Sequence, residues 1–201
     1  MLYRRVLLGG AICLIAAGGT VLGADYARGR AYRDEHVDIS GVDNAGRAGS
    51  HLLRGAQPST TGFHALRRLG VDTVVSFTTG DDDVSGEQAV VEGLGMRYVH
   101  LPWSAMHEPP PEHLSAFLAL LHEHPNDTVF VHCKAGADRT GAMIASYRVL
   151  VEHWSPRDAI AEMNAFGFHW LFHPQLQAYV YALDQTARSS RVNSRYAAGT
   201  K

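Results

Sequence analysis

The chain is short of cysteine, lysine and charge. Cys13 and Cys133 are its two cysteines, and Cys13 lies in an apolar N-terminal stretch, so the folded body holds one thiol and no internal disulfide. A disulfide-stapled scaffold is excluded. Lysine occurs at Lys134 and at the terminal Lys201. Charged residues make up 19% of the 201, with 46% hydrophobic, which excludes a disordered chain, and 20 Gly with 8 Pro exclude a fibrous one. No internal repeat of about 20 to 50 residues is present, which removes solenoids and propellers. The length suits one catalytic domain with short extensions.

Surplus positive charge is also missing where a polyanion binder needs it. The formal net charge of −2 is a sum of unlike parts, because residues 1–36 hold five Arg against three acids and residues 188–201 hold Arg188, Arg191, Arg195 and Lys201. Residues 37–187 carry 17 acids against nine bases, a balance of −8. Such a body cannot build a broad basic face, and nucleic acid is not an expected partner.

At the N-terminus, Arg4 and Arg5 precede the uncharged run Val6–Ala24. Its 19 residues nearly match the roughly 20 that span a bilayer. Five are Gly, and Val21/Gly23 or Leu22/Ala24 fit small-residue cleavage positions. Residues 1–24 thus read as a signal peptide or a membrane anchor, with the membrane as a partner and a membrane-anchored or exported location in the cell envelope. Sidedness stays open, since Arg28, Arg30 and Arg33 flank the other end. Residues 25–49 read as a polar linker, 50–187 as the catalytic domain and 188–201 as a basic flexible tail.

Within the domain, strand-like and helix-like runs alternate. Val71–Phe77, Met96–Leu101 and Thr128–His132 are short and rich in β-branched residues, as buried strands are. Ser59 is placed to cap a helix that Gly70 stops, Ser85 and Gln88 fit a capping box, Glu112–His124 is amphipathic, and Ser155-Pro156 opens a helix ending near Gly167. Phe166, Phe168, Trp170 and Phe172, with the stripe Leu176, Tyr179, Val180 and Leu183, read as core packing. The expected fold is α/β, a central, mainly parallel sheet flanked by helices with its site at the carboxyl ends of the strands.

One loop carries the chemistry. Between the strand Thr128–His132 and a helix starting near Thr140 stands His132-Cys133-Lys134-Ala135-Gly136-Ala137-Asp138-Arg139-Thr140-Gly141. A loop of this length at a helix N-terminus can turn its N–H groups inward as a phosphate cradle, built from Lys134, Ala135, Gly136, Ala137, Asp138 and Arg139. The same field favours the thiolate of Cys133, its nucleophilic form. Arg139 adds a planar fork able to grip two phosphoryl oxygens, a geometry that Lys cannot copy. Lys134, beside the nucleophile, offers a second cation or simply a solvated rim residue. Thr140 can hydrogen-bond the sulfur, and His132 supports the loop through backbone hydrogen bonds.

This loop resembles the signature of the cysteine-dependent protein tyrosine and dual-specificity phosphatases: His-Cys, five residues, Arg, Ser/Thr, Gly. Leu53-Arg54-Gly55-Ala56-Gln57-Pro58 followed by Gly70–Val75 is similar to the entry segment of the compact bacterial members. The resemblance spans roughly residues 42 to 185 and implies a phosphatase-like fold and hydrolysis of phosphomonoesters through a cysteinyl-phosphate intermediate, with no metal or other cofactor. The implied substrate is a phosphorylated protein or a small phosphoester.

The family's acidic residue is missing, however. The loop Pro102–Pro109, where an Asp is expected, contains none, leaving Glu108 and His107 as local substitutes and Asp138 as a candidate within the phosphate loop itself. Asp81-Asp82-Asp83 reads as a solvated turn. His107, His113, His122 and His124 have no metal-ligand spacing. Alternatives remain: a phosphoinositide or inositol phosphate phosphatase, which the acidic body and Asp138 disfavour, and a phosphate-binding pseudophosphatase, which intact Cys133, Arg139 and Thr140 oppose. Arsenate reduction or sulfur transfer lacks the cysteines needed for shuttling.

Overall fold

The run Thr128–Cys133 forms the middle of a five-stranded sheet because its residues alternate between two apolar layers. The computed structural model describes residues 35–80 and 86–198. In chain order the elements are β1 (Gly46–Arg47), β2 (Leu52–Ala56), α1 (Thr60–Arg68), β3 (Val71–Ser76), α2 (Glu87–Gly93), β4 (Arg97–His100) and α3 (Pro111–Glu123). There follow β5 (Thr128–Cys133), α4 (Asp138–Leu150), α5 (Pro156–Ala165) and α6 (Pro174–Ala198). The sheet order is β1-β2-β5-β3-β4, with β1 antiparallel to β2 and the other pairs parallel. The expected α/β layering is found.

The period of two along β5 decides what each face meets. Val129, Val131 and Cys133 join Leu52, Val75 and the helical residues Phe117, Ile144, Ile160 and Val180 in one core. Phe130 turns the other way, with Leu53, Phe63, Leu66, Val74 and Val91. Each fully buried aliphatic or aromatic side chain of this kind stabilises by about 1.5–3 kcal/mol relative to exposure. Consequently Cys133 emerges on the α4 side and His132 on the side of α1 and α2.

The helix ends follow local chemistry. The Ser59 hydroxyl accepts from Gly62 N at 3.2 Å, and Ser155 accepts from Asp158 N at 3.2 Å ahead of Pro156. Gly70 and Gly167 take positive φ of 82° and 83° after α1 and α5. Ser85, of the expected capping box with Gln88, lies outside the described residues. Gly86, with φ 81°, is the N-cap of α2 and supplies no side chain, while Gln88 donates to Glu92 one turn on, at 2.9 Å.

Three further expectations are corrected. The segment assigned to a linker is folded from Glu35: Ile39, Val42, Ala45 and Ala48 are buried, and β1 closes the sheet edge against β2. Its polar residues hid a short apolar series that packs on the sheet. The backbone of the basic segment from Arg188 is helical to Ala198, continuing α6 rather than forming an irregular tail, because no helix-breaking residue interrupts it. Of the four aromatics expected in the core, Phe166 and Phe168 are buried, but Trp170 and Phe172 are 56% and 73% exposed. They ride on a turn in which the Phe172 and His173 amides both donate to the His169 carbonyl, which throws the side chains between them outward. The leader 1–24 and Asp81-Asp82-Asp83 lie outside the described residues. Among the described residues no helix is long and apolar enough to cross a membrane.

Candidate active site

The loop after β5 is shaped from outside by three hydrogen bonds to consecutive carbonyls. The Lys134 carbonyl accepts from Gln57 N at 3.2 Å, that of Ala135 from Asn44 Nδ2 at 3.1 Å, and that of Gly136 from Arg54 Nη2 at 3.0 Å. All peptide bonds here are trans, so a carbonyl drawn to one side sends the following N–H to the other. The amides of Ala135, Gly136 and Ala137 are thereby turned toward the cleft, beside the N-terminus of α4. This is an anion cradle built from backbone alone.

Close packing fixes the loop further. Gly136 has φ 68°, and a Cβ there would sit 2.4 Å from the carbonyl carbon of Gly55 and 2.5 Å from Ala56 N. Only glycine fits, because both the dihedral and the backbone of β2 exclude a side chain. Arg54 is fully buried, and its guanidinium stacks 3.9 Å from the centroid of Phe166. Burial pushes it down to about 10, while the charges of Glu162, Cys133 and Glu35 hold the proton, so it is a cation at neutral pH.

Cys133 ends β5 with 2% exposure and lines a cleft of about 380 Å³ together with Lys134, Asp138, Arg139 and His173. Arg139 Nη1 donates to the Phe77 carbonyl at 3.0 Å, which ties the guanidinium to the end of β3. Lys134 is exposed on the rim and donates to Gln57 Oε1 at 3.5 Å. The Thr140 hydroxyl is buried and has no hydrogen-bond partner among the described residues, so the expected bond to the sulfur is not made.

His132 supports the site differently from the expectation. Its ring Nε2 contacts Glu87 Oε1 at 3.0 Å, not the loop backbone, because alternation along β5 sends the side chain under α2. Burial alone would raise Glu87, but His132 and then Gln57 and Tyr98 outweigh it and hold the carboxyl below its ordinary value. Gln57 Nε2 donates to Glu87 Oε2 at 2.9 Å, so Lys134, Gln57, Glu87 and His132 form one polar chain around the nucleophile.

The two carboxylates considered as acids part company. Glu108, with His107, lines an adjoining, largely apolar cavity with Pro109, Leu114, Gln175 and Tyr179, which meets the cleft at Met106. The loop presents Ser104, Ala105 and Met106 to the cleft instead. Trp103, on the same loop, is packed in the core beneath. Asp138 does line the cleft, and its carboxylate accepts from His169 N at 2.8 Å, with His169 Nδ1 3.0 Å and His173 Nε2 3.9 Å away.

A family model described as "DSP-PTPase phosphatase fused to NAD+ Kinase" matches residues 36–173. The chain belongs to the dual-specificity protein tyrosine phosphatase family. It is a cysteine-dependent phosphatase of this type. It is 35% identical over 167 residues to the dual specificity protein phosphatase TpbA of Pseudomonas aeruginosa, covering 83% of this chain and 73% of the relative. A crystal structure of P. aeruginosa TpbA superposes with a TM-score of 0.62 at 32% identity, covering 77% of this chain and 95% of that one. A TpbA with its Cys replaced by Ser, in complex with phosphotyrosine, gives 0.61 at 31% identity, covering 76% and 93%. The catalytic core of the phosphatase SIW14 from S. cerevisiae shares the fold, with a TM-score of 0.64 at 19% identity over 79% of this chain and 96% of that one.

Sequence reasoning passed over Asn44, Arg54, Glu87 and His173. Asn44 lay in the segment taken for a linker, although its φ of 50° is of the kind Asn tolerates in a turn. The signal for Arg54 was present: an Arg flanked by Leu53 and Gly55 in a run otherwise apolar enough to be buried.

Proposed function

We propose that the domain hydrolyses phosphotyrosine and related singly phosphorylated monoesters in two steps. Cys133 Sγ attacks phosphorus and displaces the alcohol, and water then attacks the cysteinyl phosphate and releases the thiolate. The Ala135, Gly136 and Ala137 amides and Arg139 hold the phosphoryl oxygens as charge shifts toward them. The observation that carries this reading is the run of three outward-bonded carbonyls around Cys133, which commits the cleft to an anion. The phosphotyrosine complex of the TpbA variant supports the substrate class. So does the −8 balance of residues 37–187, which opposes polyphosphorylated head groups.

Replacing Cys133 by Ser tests it. Hydrolysis of phosphotyrosine and of an aryl phosphate is expected to vanish while phosphate or vanadate still binds. Undiminished turnover by the Ser variant would sink the mechanism.

The apolar run Val6–Ala24 supports placing this activity in the cell envelope, anchored or exported. Fractionation of cells producing the full chain, followed by protease treatment of intact and permeabilised cells, reads both attachment and sidedness. Recovery of the full-length chain solely in the soluble cytoplasmic fraction would remove this assignment.

A further inference from the structure

The loop that in related enzymes supplies an acid brings Ser104, Ala105 and Met106 to the cleft, and none of them can donate a proton to a leaving oxygen at neutral pH. Glu108 lines another cavity. Asp138 is in the cleft, but one of its oxygens accepts from the His169 amide at 2.8 Å and both face the His169 ring, so its carboxylate oxygens are already engaged. Among the described residues, which do not include Asp81-Asp82-Asp83, the further proton carrier on the cleft wall beside Asp138, the loop cations and the nucleophile is His173.

Its placement is determined by its neighbours. His173 opens the turn into α6 and precedes Pro174, and its amide donates to the His169 carbonyl at 3.0 Å. Its Nδ1 is buried, so the ring turns Nε2 toward the cleft side, where Asp138 Oδ2 stands 3.9 Å away. The side chain is 16% exposed, as is that of Asp138. The carboxylate beside Nε2 is itself fixed by a backbone amide, so the pair is held in place. Among the described residues, the groups facing His173 are Asp138, Cys133, Lys134 and Arg139 from the phosphate loop, and His169 from its own turn. The 104–106 segment and Thr79 bring no charge.

We propose that His173 is the general acid and base of this phosphatase, with Asp138 as its positioning residue. The inference rests on the cysteinyl-phosphate reading above. In the first step the S–P bond forms as the P–O bond to the leaving group breaks, and Nε2 gives its proton to the departing oxygen. In the second, water attacks phosphorus, the S–P bond breaks, the thiolate departs, and the water proton returns to Nε2. Protons and electron pairs balance with water as the only added reactant.

The experiment uses the full chain in detergent and two substrates that differ in leaving group, p-nitrophenyl phosphate and phenyl phosphate. A general acid contributes about 10²–10⁴-fold where the leaving group is poor. His173→Gln is expected to lower kcat on phenyl phosphate by at least about 100-fold and on p-nitrophenyl phosphate by less than about tenfold. The alkaline limb of the kcat/KM profile on phenyl phosphate disappears in the variant. His173→Asn serves as a second variant, and vanadate titration shows whether the phosphate loop is intact. Equal losses on the two substrates, an alkaline limb that survives in both His173 variants, or unchanged phenyl phosphate turnover would overturn the assignment. Because Cys133→Ser is assayed in parallel, failure of the nucleophile reading is separable from failure of this one.

Discussion

Arg54 Nη2 donates to the Gly136 carbonyl at 3.0 Å from a position wholly inside the protein. This bond joins β2 to the phosphate loop and places a fixed cation behind the nucleophile. Glu162 balances that charge, and Arg148 in turn grips Glu162 with bonds of 2.7 and 3.0 Å, so the loop rests on a buried ionic network reaching into α4 and α5. Removing one member of such a network is costly because its partners stay charged in a dry site.

Arg54→Met is therefore expected to lose about 3–5 kcal/mol of stability, read as a lower urea midpoint. It also slackens the loop: kcat/KM on an aryl phosphate falls by about 100-fold, the scale of a misplacement near 1 Å. Iodoacetamide alkylates Cys133 several-fold more slowly near neutral pH than in the parent protein, roughly in step with the lost local positive charge. Equal alkylation rates in the two proteins would show that Arg54 acts on stability alone.

Gly136→Ala probes the same contact from the other side. The added methyl meets the Gly55 carbonyl carbon at 2.4 Å, and a non-glycine residue at φ 68° is strained in any case. The dihedral alone costs about 1–2 kcal/mol. Since β2 cannot retreat without breaking its ladder to β5, the loop moves instead, and vanadate affinity drops by at least about tenfold. Retained affinity would mean that the loop tolerates a shift here.

Much of this was legible from residue order. The strand at 128–132, the Cys-to-Arg loop and the helix behind it follow from an apolar run meeting a glycine-containing turn and a second apolar run through Met143, Ile144 and Tyr147. β2 was not recognised as a strand, because Arg54 and Gly55 interrupt its apolar series, and both are there for the loop rather than for the sheet. The folded part of the supposed linker was hidden for a related reason: its apolar residues are few and spaced without a helical or strand period. Proximity of distant segments leaves no local trace, so the approach of Asn44 to Ala135, and of His173 to Asp138, became visible only with the fold.

Glu108 and Asp138 are expected to respond oppositely to loss of charge. Glu108→Gln changes a group in the neighbouring cavity and leaves kcat/KM within about twofold, the scale of an ordinary surface substitution. Asp138→Asn keeps an oxygen able to accept from the His169 amide but removes the carboxylate charge beside His173, and lowers kcat on phenyl phosphate by about 100-fold or more. Parallel steady-state kinetics on the two variants decide the matter. A larger effect at Glu108 than at Asp138 would return the acid to the 102–109 loop.

The contact between His132 and Glu87 carries a pH signature of its own. Burial opposes charge on Glu87, yet His132, Gln57 and Tyr98 together hold it below the ordinary carboxylate value of 4.5. As pH falls, the unfolded chain then takes up this proton before the folded one does. The contribution is thus complete above the unfolded value and is lost as pH drops through the folded value. Glu87→Gln should cost about 1–3 kcal/mol at neutral pH, since it leaves His132 and Gln57 imperfectly paired. The gap between parent and variant, measured by urea unfolding, narrows as pH falls below the ordinary carboxylate value of 4.5 and the parent's carboxyl becomes neutral. If the gap stayed constant down to about pH 3, the stabilisation would come from packing under α2 rather than from charge.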